Sequence, residues 1–332
     1  MFKRILVLLL VLSLAVTMAG CGQSSETTEK PAQEEPTVEQ LSGTVIIDGS
    51  GTVYPLMAHI AEEYMTKVQP KVSVQVGRAG SSAGFKKFIP GEIDFSDASR
   101  AIKDEEIAAL EEAQGLKYSN DIMEFKVALD GLTMVINKDN TWAKEMTKDE
   151  VVNMYLSGQY KADDKVLWSD IKSDWPKEEI KFYGPNENHG TYEFFFETIL
   201  KKKEMVKTAN LQQEYSTLVD LVSKDKNAIA FFGFGYYVTN TDKLQAVAVD
   251  FGQGPVEPTL KTIGEDLPYA GFTRPVFTYL NVAHAKEKPE ILDYAKYVVS
   301  DQGCERLAGE NGFAPLPSSV YKGYLEQLNA IK

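Results

Sequence analysis

The sequence predicts an α/β fold with mostly parallel sheets, divided between two domains. Three observations carry this. Runs of strand length alternate with amphipathic stretches of helix length from residue 40 onward. The chain has 332 residues, more than one hydrophobic core usually serves. Short runs rich in Gly, Ser, Thr and Asn recur where a strand hands over to a helix, the place where open α/β sheets bind ligands.

At the N-terminus, Lys3 and Arg4 precede an apolar run over 5–16 and then Met18, Ala19, Gly20 and Cys21. That is a secretory leader over 1–20, shorter than the roughly 20 apolar residues a membrane span needs. The small pair before Cys21 resembles a bacterial lipoprotein cleavage site. Cys21 is therefore expected to carry lipid and to hold the protein, extracytoplasmic, on the cell membrane. Residues 21–40 are Ser, Thr, Glu, Pro and Gln with few apolar side chains, the composition of a disordered tether with a reach of about 25 Å.

Strands are expected over 44–48, 73–77, 93–96, 125–130, 132–137, 180–183, 228–232, 244–249 and 273–280, and helices over 55–68, 103–112, 148–156, 191–201 and 289–300. In the first unit, β-branched Val45, Ile46 and Ile47 lead through Asp48–Gly49–Ser50–Gly51–Thr52 into a helix opening near Tyr54. In the second, residues 73–76 feed Gly80, Ser81, Ser82 and Gly84 into another. Thr147 followed by Glu150 forms a capping box. Residues 180–183 feed Asn186, Asn188, Gly190 and Thr191 into a further helix. The run "AIAFFGFGYY" over 228–237 reads as a buried strand and its turn, with Tyr236 or Tyr237 a candidate to line a cleft.

Three of these turns share one chemistry. A helix start leaves backbone N–H groups unpaired and carries partial positive charge, and glycine and small hydroxyls let an anion reach them. A fourth run, "GEIDFSDASRAI", adds Ser96, Asp97, Ser99 and Arg100. The Arg100 fork suits bidentate bonding to phosphate or carboxylate oxygens. Asp97 is a candidate acceptor for a ligand proton.

The formal charge is −13, from 35 Lys and Arg against 48 Asp and Glu, which argues against nucleic acid as partner. Cys304 is the only cysteine besides Cys21, so no disulfide framework or thiolate metal site is expected. The histidines, His59, His189 and His284, show no metal-ligand spacing, and no cofactor is expected.

The runs "DGSGTVYPL", "GSSAGFKKFIPGEIDFSDASR", "YGPNENHGTYEFFFE" and "AIAFFGFGYY" together resemble the phosphate-binding lipoproteins of phosphate ABC importers, the PstS family. The resemblance implies a type II periplasmic-binding-protein-like fold of two lobes closing on inorganic phosphate. Lobe I would take 41–131 plus 273–332 and lobe II 132–272, with the chain crossing near 132–137 and 273–280. Carried over, the phosphate-binding set is Ser50, Gly51, Thr52, Val53, Ser81, Ser82, Ser99, Arg100, Asn188, His189, Gly190 and Thr191. The implied partners are inorganic phosphate and the permease of the importer, with the receptor itself a monomer.

One departure has chemical content. The family usually reads Asp-Ser-Gly-Thr where this chain reads Asn188-His189-Gly190-Thr191. Asn188 can donate as well as accept, which removes a filter against fully deprotonated anions. A receptor for another tetrahedral oxyanion such as sulfate is therefore the alternative reading. Three other classes compete. Residues 80–84 fit the G-x-S-x-G pattern of a secreted esterase with Ser82 as nucleophile and His189 or His284 as base. A metal-binding lipoprotein would need a ligand spacing that the histidines lack, and an adhesive or structural surface lipoprotein would need no buried hydroxyls converging with an arginine.

Overall fold

The computed structural model describes residues 40–331; the leader, the tether up to residue 39 and Cys21 lie outside them. Strand β1 (Gly43–Gly49) pairs in parallel with β2 (Val72–Val76) on one side and β3 (Phe95–Ala98) on the other. Strand β4 (Ile122–Asn137) runs antiparallel to β12 (Thr273–Asn281), which in turn is antiparallel to β3. Two expected strands, 125–130 and 132–137, are thus one strand of 16 residues.

Midway along, β4 changes partner. Gly131 is the last residue paired with β12, opposite Thr273, and Leu132 is the first paired with β8 (Ala228–Gly233), opposite Gly233. Beyond β8 come β6 (Lys181–Pro185) and β7 (Asn210–Gln212), both parallel, while β9 (Leu244–Ala246) also pairs β4. A separate small sheet holds β5 (Glu145–Thr147), β10 (Ala248–Asp250) and β11 (Pro255–Val256). The expected strand 244–249 is therefore split between two sheets. Every antiparallel pairing involves β4, β12 or β11; the other pairings are parallel. The sheets are mixed because the chain reverses direction where it crosses between the two halves of the large sheet.

The helices follow the sequence logic, with adjustments at their ends. Pro55 at the first turn starts the Tyr54–Glu63 helix, whose last turn widens into a π-helix over Tyr64–Val68. The Thr147–Glu150 capping box forms, with the Glu150 amide donating to Thr147 Oγ1 at 3.1 Å and the Thr147 amide to Glu150 Oε2 at 2.8 Å. The helix after the third polar turn is four α-helical residues, Gly190–Glu193, continued as a π-helix over Phe194–Ile199.

Each half of the sheet has its own aromatic packing. In the first, Tyr294 meets Tyr64 and Phe95 edge to face at 5.1 and 5.6 Å. In the second, Tyr155 packs on Phe182, Phe195 and Phe231 at 4.9–5.7 Å. Such pairs add to the area they bury. This packing belongs to one hydrophobic core that runs through both halves, and the polar ends of β1, β3 and β6 lie toward the line where β4 changes partner. Cys304 is fully buried beneath β3, and burial pushes its thiol up, so it packs and does not react.

Candidate functional site

The turn after β1 is fixed by its own aspartate. Asp48 Oδ1 accepts from the amides of Gly49 at 2.8 Å and Ala79 at 3.0 Å, and Lys87 binds Oδ2. Burial raises the Asp48 carboxyl, but Lys87 and the two amides outweigh it and hold it below the usual range. The turn then aims Thr52 at Thr191 and Tyr215 of the second half of the molecule. Gly80, at φ +111°, opens the second turn in a backbone conformation that suits glycine, and a Cβ there would lie 2.2 Å from the Asn188 carbonyl.

Hydroxyls from both halves meet at the division of the sheet. Thr52 Oγ1 lies 2.7 Å from Thr191 Oγ1, and the Tyr215 hydroxyl completes a triangle at 3.0 and 2.8 Å. Ser50 Oγ donates to Ser99 Oγ at 3.0 Å, Ser81 Oγ lies 3.4 Å from the same atom, and the Ser99 amide donates to Ser81 Oγ at 3.1 Å. Gly190 presses against this serine group: a Cβ on it would be 2.7 Å from both Ser81 Oγ and Ser99 Oγ. Gly51 and Val53 are buried beside it, with Gly51 O accepting from Tyr236 at 2.9 Å.

The positive charge among these hydroxyls is Arg274, from the start of β12. Its Nη2 donates to Thr191 Oγ1 at 2.7 Å, and its Nη1 to the carbonyls of Gly190 at 3.0 Å and Ser99 at 3.3 Å. Asp130, from β4, takes its Nε at 3.1 Å and Nη2 at 2.9 Å. Arg274 is 2% exposed and Asp130 fully buried, so the charges neutralise each other where water cannot. The pair sits where the two crossing strands leave the first half of the sheet.

Sequence reasoning missed Arg274, Asp130 and Tyr215. A signal existed for the first two: both stand in runs read as strands, and buried opposite charges must pair. Tyr215 opens a helix at a stretch that carried no motif, so nothing in the sequence marked it.

Of the expected residues, the structure brings together Ser50, Gly51, Thr52, Val53, Ser81, Ser99, Gly190 and Thr191. Arg100 stands beside these residues in a network of ion pairs. Glu106 holds its fork at 2.7 and 2.8 Å, its Nε pairs with Glu193, and its ring-side face lies 4.9 Å over Phe85. Arg100 is thus an ion-pair element across the two halves. Ser82 joins that network, accepting from Arg100 at 3.1 Å and donating to Glu193 at 3.2 Å. It has no histidine partner, which leaves the esterase reading without a base.

Asn188 Nδ2 donates to Gln213 Oε1 at 3.4 Å. Asp97, the candidate proton acceptor, is fully buried in β3, on the side facing Tyr294 and Cys304 and not the cluster. His189 is 1% exposed, with Nε2 at 2.9 Å from the Gln213 carbonyl and its ring edge-on to Tyr215 at 5.1 Å. Burial lowers its pKa, against the Gln213 bond, so the ring is neutral. Among the described residues no group of three His, Cys, Asp or Glu side chains could hold a metal ion.

A mixed α/β sheet that divides at two crossing strands, with polar turns from both halves converging there, defines the periplasmic-type solute-binding proteins. Residues 30–302 match the PBP superfamily domain. The chain belongs to the PstS family of phosphate-binding proteins. Phosphate-binding protein PstS of Staphylococcus haemolyticus is 36% identical over 319 residues, 96% of this chain and 94% of the relative. That of Staphylococcus epidermidis is 38% identical over 291 residues, 87% of this chain and 84% of the relative. Among solved structures, a possible phosphate binding protein from Planctomyces limnophilus shares 36% identity at a TM-score of 0.60, covering 88% of this chain and all of that one. An ABC-type phosphate transport receptor from Vibrio cholerae shares the fold, at 22% identity and a TM-score of 0.60 over 82% of this chain and all of that one.

Proposed function

We propose that this protein captures inorganic phosphate between the two halves of its sheet and delivers it to the permease of an ABC importer. The observation that carries the reading is the convergence of Ser50, Ser81, Ser99, Thr52 and Thr191 on an arginine already held in place by a buried aspartate. Hydroxyls donate to each oxygen of a tetrahedral anion, and Arg274 supplies charge in a site that excludes water. Binding and release need no bond made or broken.

The change of partner at Gly131 and Leu132 supports two lobes, 41–131 plus 273–332 and 132–272, that move about β4 and β12. Donors from both lobes on one ligand would favour the closed form by as much as the ligand prefers it. The Cys21 site and the 21–40 tether support a lipid anchor on the outer face of the membrane, next to the permease. Calorimetric titration of the protein, stripped of bound anion, with phosphate and with sulfate tests the reading. Tight phosphate and weak sulfate binding is expected; equal affinity, or sulfate alone, would point to a general oxyanion receptor.

A further inference from the structure

We propose that His189 selects the ligand by its proton: Nδ1 accepts a hydrogen bond from a P–O–H group and so favours hydrogen phosphate over sulfate. This rests on the hydroxyl cluster being the oxyanion site. An anion that keeps a proton brings one donor into a ring of donors, and the site must offer it an atom that carries no hydrogen.

The carboxylates and carbonyls nearest the cluster are already engaged. Asp130 Oδ2 takes two bonds from Arg274, and Oδ1 takes the Phe234 amide at 3.1 Å. Glu193 is held by Ser82, Arg100 and Lys103. The carbonyls of Ser99 and Gly190 accept from Arg274, and that of Gly51 from Tyr236. The hydroxyls can accept, but each also carries a proton and so does not discriminate. His189 Nδ1 is buried and has no hydrogen-bond partner.

The state of Nδ1 follows from the other ring nitrogen. Nε2 lies 2.9 Å from the Gln213 carbonyl, which can only accept, so Nε2 carries the hydrogen. The Gln213 side-chain nitrogen, 3.1 Å from Nε2, donates instead to the Ala79 carbonyl at 3.3 Å. Nδ1 of the neutral ring is then a bare lone pair. Its ring neighbour Cε1 lies 3.1 Å from where a Cβ on Gly51 would stand, between Ser50 and Thr52 in the chain. Sulfate would set an oxygen lone pair against this nitrogen, whereas hydrogen phosphate fills it.

The test combines titration with nitrogen NMR of histidine-labelled protein. The parent protein should prefer phosphate to sulfate at pH 7.5, and His189→Ser should narrow that ratio about tenfold or more, mainly by weakening phosphate. In the parent, the Nδ1 signal should be that of an unprotonated nitrogen and should move on adding phosphate but not sulfate. A protonated Nδ1, an Nδ1 signal unmoved by bound phosphate, or an unchanged ratio overturns the proposal. The NMR arm needs no variant, so a misfolded His189→Ser does not decide the matter. If the parent binds no phosphate, the functional reading itself falls and this falls with it; tight phosphate binding with an unmoved Nδ1 removes only the part given to His189.

Discussion

Arg274 spends its donors on Asp130, two backbone carbonyls and Thr191, and that allocation makes it both a structural and a functional residue. Asp130→Asn should cost about 3–5 kcal/mol of stability, because it strands a buried guanidinium without its counter-charge. Replacing both, as Asp130→Leu with Arg274→Met, should recover much of that loss while leaving phosphate binding abolished. Denaturant unfolding and calorimetry on the same three variants separate the two roles, and phosphate binding by the double variant would remove Arg274 from the site. Arg100→Ala offers the contrast. Losing pairs to Glu106 and Glu193 should weaken phosphate binding by about tenfold at most, since the ion pairs lie beside the cluster and not within it. The sequence made Arg100 the natural choice because it stands in a hydroxyl-rich run. Its neighbours Glu106 and Glu193 are six and 93 residues away, and only the fold shows that they claim it first.

At the scale of elements, the polar turns act as a matched pair of surfaces. Gly190, at the start of its helix, is where the second half comes closest to Ser81 and Ser99 of the first. Gly190→Ala would put a methyl into that contact without disturbing the core. It should weaken phosphate binding by about tenfold to a hundredfold, the usual cost of overpacking, with little change in melting temperature. A melting temperature lowered as much as the affinity would show that the contact stabilises the fold rather than the bound state. The turns themselves were readable in the sequence because strand, glycine, hydroxyl and helix start follow one another locally. The crossing strands were readable as strands, but their fusion into one β4 was not. Gly131 interrupts the apolar run at the residue where β4 changes partner, and the loss of side chain there looks like a break. His189 was readable as a departure from the family pattern, whereas its tautomer depends on Gln213, a residue with no motif of its own.

At the scale of the whole molecule, Asp97 ties stability to pH. Its carboxyl is fully buried between β1 and β12, and neither oxygen finds a hydrogen-bond partner. Desolvation pushes it up to about 7, the charge of Asp48 adds to this, and the Thr278 hydroxyl beside it only partly offsets the rise. Tyr294 and Cys304 face it from the helices below and stay neutral, so no cation relieves it there. The folded protein therefore holds a proton that the unfolded chain, with an ordinary value of 3.8, has released. Between pH 4 and 7 the folded state binds more protons than the unfolded one, so this group makes stability fall as pH rises, levelling off above about 7. The difference of about three units corresponds to roughly 4 kcal/mol at most. Asp97→Asn keeps the shape and removes the titration. The variant should gain on the parent from pH 4 to about pH 7 in urea unfolding, by up to that amount, and little further up to pH 8. A stability difference that stays constant across those pH values would mean that Asp97 is ionised in the folded protein and that its charge is met by a partner.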